Sequence, residues 1–338
     1  MIKVFFVFNL LLINFSYGAP KLKGDFRYRL ERLDQDGNPD RVRHRIRGRI
    51  GAYGVAQDKL RYGVRLATGS DDPISTNQTL GSGASSKDIN IDLFYLKYSP
   101  RKSMRLFAGK FKNKFFRPSK TELIWDNDLS PEGLHLKWKC PSLFVNIAYL
   151  IMEERSAAPD TVLQGLQVGY IKGLGPIKLT IGGSYYDYLA IQGNTPLYDT
   201  SDSFGNTLAG GNYKNDYNLM EGFLVLTLKK YPLSFFINFV KNDKATEKDT
   251  GMLFGVKTGK KLKVLYNYRN IKSDAVVGAF TDSDFKGGGS DGKGHELQIS
   301  YPFGKKLKMS VSHFFNDTAI DNGKTYHRTF IDFGFDFS

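Results

Sequence analysis

Five arginines, Arg41, Arg43, Arg45, Arg47 and Arg49, hold every odd position of the run Arg-Val-Arg-His-Arg-Ile-Arg-Gly-Arg. A guanidinium stays charged at any working pH and offers a fork of N–H donors to anions. A two-residue period gathers all five on one face of a strand, whereas a helix would scatter them. Like charges in a row cannot face a packed core, because each unpaired buried charge is too costly. They therefore face water, which leaves an exposed sheet face, a nucleic-acid ribbon or the wet lumen of a membrane barrel. Arg27, Arg29, Arg61, Arg65 and Arg105 hold equivalent positions in neighbouring alternating segments and are expected on the same wall. The third long connection, residues 112–133, carries Glu122, Asp126, Asp128 and Glu132, together with Trp125 and two prolines. Acid on a connection facing base on a wall sets a transverse field across confined water. The plainer alternative is a solvated acidic loop beside a positive patch.

Other reactive residues offer little. Ser312 and His313 are adjacent, and adjacent strand residues point to opposite faces, so they make no dyad. His44 and His313 read as polar residues near the rim of an outer face. No nucleophile, base and orienter converge, and no enzyme is expected. His135, His295 and His327 lack ligand-like spacing, and the single Cys140 excludes an intrachain disulfide or a Cys-based zinc site. No cofactor or metal is expected.

The elements that must position these residues are strands. After Lys3, a short apolar run ends in Ser16 and Gly18, small residues suited to a signal-peptide cleavage site, so residues 1–18 read as a leader and 19–338 as one exported domain. No later segment has the ~20 apolar residues of a spanning helix. A membrane location would then require a closed β-barrel, the other structure that satisfies its own backbone in lipid. A mean hydropathy of −0.35 is compatible, since half of a barrel's strand residues face water. The net charge of +14 belongs to an exported chain, which argues against nucleic acid and for anionic solutes or lipid headgroups.

Sixteen segments fit this pattern: 25–33, the arginine run, 59–68, 89–98, 104–111, 134–139, 143–152, 163–172, 177–186, 217–229, 233–241, 252–258, 262–271, 296–301, 307–315 and 326–337. Their connections alternate strictly between long polar loops and tight turns carrying Pro, Gly or Lys. An even strand number with loops sorted to one end is the pattern of an outer-membrane barrel. The segments at 89–98 and 217–229 are apolar on both faces, which leaves their inward side open. The last segment alternates Phe333, Phe335 and Phe337 with Asp332, Gly334 and Asp336, although Ser338 follows the final aromatic.

With the arginine run, Arg65-Leu66-Ala67-Thr68-Gly69, Ala108-Gly109-Lys110 and the stretch Ile124-Trp125-Asp126-Asn127-Asp128-Leu129-Ser130-Pro131-Glu132-Gly133, the chain resembles bacterial outer-membrane porins of the putative porin family. The resemblance implies an all-β, 16-stranded antiparallel transmembrane barrel similar to general diffusion porins, often trimeric, whose third outer loop folds into the lumen. The expected function is passive diffusion of small hydrophilic solutes across the outer membrane of a Gram-negative bacterium, among outer-membrane lipid. About nine wall arginines against four loop acids would favour anions. The pore-lining basic wall is then Arg27, Arg29, Arg43, Arg45, Arg47, Arg49, Arg61, Arg65 and Arg105. The constriction loop would present Glu122, Trp125, Asp126, Asp128 and Glu132. The alternative is an adhesin or structural surface barrel, since the loops at 187–216 and 272–293 are long, although they read as Gly/Asp-rich surface without an aromatic binding cluster. The solute itself is not legible.

Overall fold

The computed structural model describes residues 18–337. The expected leader, apart from Gly18, and Ser338 lie outside the described residues. Sixteen long strands make up the wall: β1 (Lys21–Gln35), β2 (Arg41–Gln57), β3 (Leu60–Thr68), β4 (Ile89–Arg101), β5 (Met104–Lys110), β6 (Glu132–Lys139), β7 (Leu143–Glu153), β8 (Thr161–Leu174), β9 (Ile177–Leu189), β10 (Tyr217–Leu228), β11 (Leu233–Asn242), β12 (Thr250–Thr258), β13 (Lys263–Ile271), β14 (Gly292–Phe303), β15 (Leu307–Thr318) and β16 (Lys324–Phe337). Each pairs antiparallel with the next, and β1 pairs with β16 from Gly24↔Phe337 to Gln35↔Tyr326, which closes the barrel. Closure leaves no open edge in lipid. β2 continues to Gln57 through a register shift between Val55 and Gln57, so only residues 58 and 59 form the turn into β3.

The connections sort by parity as expected. Two to four residues join strands at one end, the turn end, whereas five to 27 residues join them at the loop end. The loops are named L1 to L8 in chain order. β3 is short beside β2, and L2 (residues 69–88) covers the difference by pairing Gln78 and Thr79 with Ile46 and Arg45.

Outward residues are exposed and apolar, among them Phe26, Ile50, Leu96, Leu134, Ile147 and Phe254, as a lipid-facing band requires. The inward residues divide into two kinds. One half of the wall is charged. The other is apolar and buried, including Leu163, Tyr186, Tyr188, Leu219, Phe223, Phe236 and Leu253. This explains the two doubly apolar segments. In β10 the inward face is Tyr217, Leu219, Glu221, Phe223 and Val225, covered from inside by loops. In β4 a register shift opposite Arg65 and Leu66 lets the consecutive Asp92 and Leu93 both be buried, with Ile91 and Phe94 outside.

Candidate functional site

L3 (residues 111–131) leaves β5 and enters β6 at Gly109 and Gly133, which face each other across the pair. Their φ angles of +107° and +135° are open to glycine, and a Cβ on either would strike a neighbouring strand's carbonyl. The loop then packs against inward side chains of the wall. Phe115 lies edge-on to the inward His135 at 5.0 Å and to Tyr186 at 4.9 Å. Trp125, 2% exposed, stacks on Phe115 at 6.3 Å and lies edge-on to Tyr186 at 5.3 Å. Gly165 makes room for this, since a Cβ there would sit 2.5 Å from Phe115 Cζ.

A polar ladder on the wall moors the loop. His135 Nε2 meets Asn146 Oδ1 at 3.2 Å, Asn146 donates to Gln167 Oε1 at 2.9 Å, Gln167 donates to Ser184 Oγ at 3.0 Å, and Ser184 donates to Glu221 at 2.5 Å. The Gln167 amide also clamps the Phe116 backbone, accepting from its N–H at 2.6 Å and donating to its carbonyl at 3.0 Å. Replacing Gln167 with Leu keeps the volume and removes both contacts, leaving two buried backbone groups unpaired at about 1–3 kcal/mol each. The expected result is a folded barrel with raised open-channel current noise. A noise spectrum unchanged from the parent would show that the aromatic contacts hold L3 unaided.

The loop acids take different roles. Asp128 lies 3.1 Å from Arg49, 3.7 Å from Arg47 and 3.8 Å from Lys112. Burial alone would raise its pKa, but Arg47, Lys112 and Arg49 together hold it at about 2. Asp126 accepts from the backbone N–H groups of Asp128 at 2.6 Å and Ser283 at 2.9 Å. Glu132 is a correction: it opens β6 instead of ending the loop, is exposed, and pairs with Lys110 at 2.8 Å, away from the constriction.

A second correction concerns L7 (residues 272–291), expected to be surface. Ala275, Val276, Val277, Ala279, Phe280 and Phe285 are all at most 5% exposed. Phe280 O accepts from Asp126 N–H at 2.9 Å, and its ring faces Trp125 at 6.5 Å. L5 (residues 190–216) also contributes buried residues. Asn206 donates to the carbonyls of Ser273 and Val276. Only parts of L5, such as 199–202 and 209–211, are exposed surface. L3, L5 and L7 are therefore interlocked, with L3 and L7 sharing one joint.

The expected wall arginines do lie on the inward face, yet most are paired. Arg29 binds Asp332 at 2.7 Å and Asp284 of L7 at 2.9 Å. Glu31 takes Arg43, Arg45 at 3.6 Å and Arg328 at 2.8 Å. Asp25 takes Arg47 at 2.9 Å and Arg49 at 2.8 Å, Asp92 takes Arg65, and Arg27 donates to Asn77 at 2.6 Å. The expected surplus of nine bases over four acids is thus corrected by acids from the same wall. Sequence reasoning also missed Arg269, paired with Asp282 at 2.7 Å and Glu296 at 3.0 Å, and Arg328. Arg61 and Arg105 differ, since no carboxylate pairs with either among the described residues; their charged neighbours include Lys97 and Lys137.

Paired bases and acids meet at a polar cavity of about 200 Å³ lined by Arg27, Arg47, Asp126, Asp128, Asp284 and Lys308, among others. Glu122, Asp126 and Asp282 bring carboxylate oxygens within 4.8 Å of one another, close enough to share a hard cation or a proton. Spacing could not have shown this trio, because Asp282 belongs to the other loop. Burial, and then the facing carboxylates, push Glu122 and Asp126 well above the ordinary carboxylate range.

The barrel matches known proteins. The family described as "Putative porin" matches residues 26–216 and 237–331. No curated protein sequence matches the chain. Among solved structures, OprB of Pseudomonas putida aligns with a TM-score of 0.65 at 12% identity, covering 94% of each chain. A Rhodopseudomonas blastica porin variant aligns at 0.57 and 12%, covering 94% of this chain and 100% of that one. OmpT of Vibrio cholerae lacking loop L8 gives 0.56 and 12%, covering 95% and 100%. At such identity these structures speak for the fold, and the profile speaks for the family: the chain belongs to the putative porin family and forms an outer-membrane channel barrel.

Proposed function

We propose that this chain forms a water-filled, anion-preferring pore for small hydrophilic solutes, delivered to the outer membrane by the leader at residues 1–18. The observation that carries the preference is a set of inward cations at the turn end with no acid beside them. Arg61 pairs across strands with Lys97, and Arg105 with Lys137. The arginine-lined constriction remains part of the path, but its charges largely cancel, so it orders water and solute through a transverse field more than it selects sign. Net selectivity then follows the unpaired cations that an ion meets in the vestibule.

The test is a reversal potential in a potassium chloride gradient across a planar bilayer. Anion preference is expected, and it should weaken as salt shortens the Debye length to about 3 Å at 1 M. Cation preference in the unmodified protein would sink the reading. An adhesin or purely structural barrel would show no ion-selective conductance at all.

A further inference from the structure

One quadrant of the turn-end wall holds four inward cations with no carboxylate paired to any of them among the described residues. Arg61 on β3 is the register partner of Lys97 on β4, and Arg105 on β5 is the partner of Lys137 on β6. Lys97 is opposite Phe107, two residues from Arg105, so it is the diagonal neighbour of that arginine. Each of the four side chains shares the parity of a buried or paired inward neighbour on its own strand, Arg65, Leu93, Phe107 and His135 respectively. The charged groups facing Lys97 are Arg61 and Arg105, and those facing Lys137 are Arg105 and Lys139. Neither set contains an acid.

L3 adds a fifth cation from the lumen side. Lys114 lies 4.7 Å above the Phe107 ring and 5.9 Å from that of Tyr95, without an ion pair. Burial, followed by Lys137, Lys112, Lys97 and Arg65, pushes its amine down to about 8. The opposite side of the same vestibule is different in kind. Lys257, Lys263 and Lys308 cluster there with Lys120 of L3, but Lys308 has Asp332 and Asp336 beside it. The first quadrant instead stacks cations on the wall and on the loop with no acid among the groups facing Lys97, Lys137 or Lys114.

Resting on the anion-preferring reading above, we propose that Arg61, Lys97, Arg105, Lys137 and Lys114 form a binding site for phosphate-type anions of two or more charges. Neighbouring strands lie ~4.8 Å apart, so adjacent wall cations stand close enough for one compact polyanion to bridge two or three of them. A monovalent halide can neutralise only one. Arginine supplies a fork that matches phosphoryl oxygens, and the lysines supply mobile point charges. The wall cations and Lys114 approach from different sides, which suits a tetrahedral oxygen set better than a planar carboxylate. Such a site holds its ligand part-way along the pore, so permeation of these anions saturates and they obstruct smaller ones.

The experiment uses the full-length protein in planar bilayers carrying a chloride current, with pyrophosphate added on the turn side. A saturable block is expected. In the double variant Lys97→Gln/Lys137→Gln, the half-blocking concentration should rise about tenfold or more, since each lost contact to a charged group is worth roughly that factor. Lys114→Gln, confined to the loop, should show the same direction of effect and serves if the double variant fails to fold. Lys257→Gln on the opposite wall should shift the block less than about twofold, by the same arithmetic. Equal shifts in Lys257→Gln and the double variant would overturn a local site in favour of a diffuse vestibule. Anion preference without any saturable block would overturn the site and leave the proposed function standing. Cation preference together with a block that Lys97→Gln/Lys137→Gln abolishes would do the reverse.

Discussion

Removing residues 274–284 from L7 is expected to raise single-channel conductance about as much as removing residues 119–130 from L3, on the order of a doubling in each case. A loop lying outside the barrel would leave conductance unchanged, which is what its Gly/Asp-rich ends suggested. The structure points the other way, because the middle of L7 is among its most buried loop segments and contacts L3 directly. Asp126 bonds to Phe280 O and to Ser283 N–H, so neither loop keeps its position when the other is cut. The same joint has a pH dependence. Glu122 and Asp126 face Asp282, Asp128 and Glu296, with Arg117 and Arg269 as the nearby bases. Their raised folded pKa values mean that the joint retains protons which free carboxyls would release. That stabilisation is fully present below the unfolded values and is lost as pH rises through the folded ones. Current noise should therefore grow on going from mildly acidic to alkaline solution, and Asp126→Asn should flatten the trend. A deletion in L7 without effect on conductance would place the narrow section elsewhere.

The barrel was legible because strand parity and loop parity are properties of the chain alone. All sixteen expected segments coincide with wall strands to within a few residues. The parity that put Arg27 and Arg29 inside also puts Asp25 and Glu31 inside, so the partners of the arginine strand could have been read from the same segment. Counting only the bases on that face was the error. L7 also carried a signal, the apolar run Ala-Val-Val-Gly-Ala-Phe at 275–280, which a solvated loop has no reason to contain. Two features lay beyond a local pattern. The β4 bulge reverses the face at one residue, and alternation cannot show where it does so. The Asp282 partnership with L3 joins residues that only the closed barrel brings together.

Exchanging Arg45, Arg47 and Arg65 for serine is expected to turn the pore toward cations and weaken the barrel, two effects that share one cause. Considered as free charges, the three arginines would lose anion preference gradually and leave the fold intact. They are instead partners of Glu31, Asp25 and Asp92, with arginine side chains only 12–14% exposed. Removing them leaves carboxylate charge on the inward wall that the remaining bases offset only in part. Glu31 keeps Arg43 and Arg328 and Asp25 keeps Arg49, so the cost there is partial, whereas Asp92 keeps only the Ser130 hydroxyl at 3.2 Å. Breaking a fully buried pair costs 3–5 kcal/mol, and a water-lined wall reduces that to roughly 1–2 kcal/mol per site. Adding Asp92→Asn should recover part of the stability and of the anion preference, because it removes the most isolated of the uncovered charges. Lys97→Gln/Lys137→Gln should behave differently, lowering anion preference with no loss of thermal stability, since those lysines have no partners to strand. If the serine variant is as stable as the parent and selects anions less only to the degree that the lysine variant does, the arginines act as free charges and the pairing in the wall does not persist in the open pore.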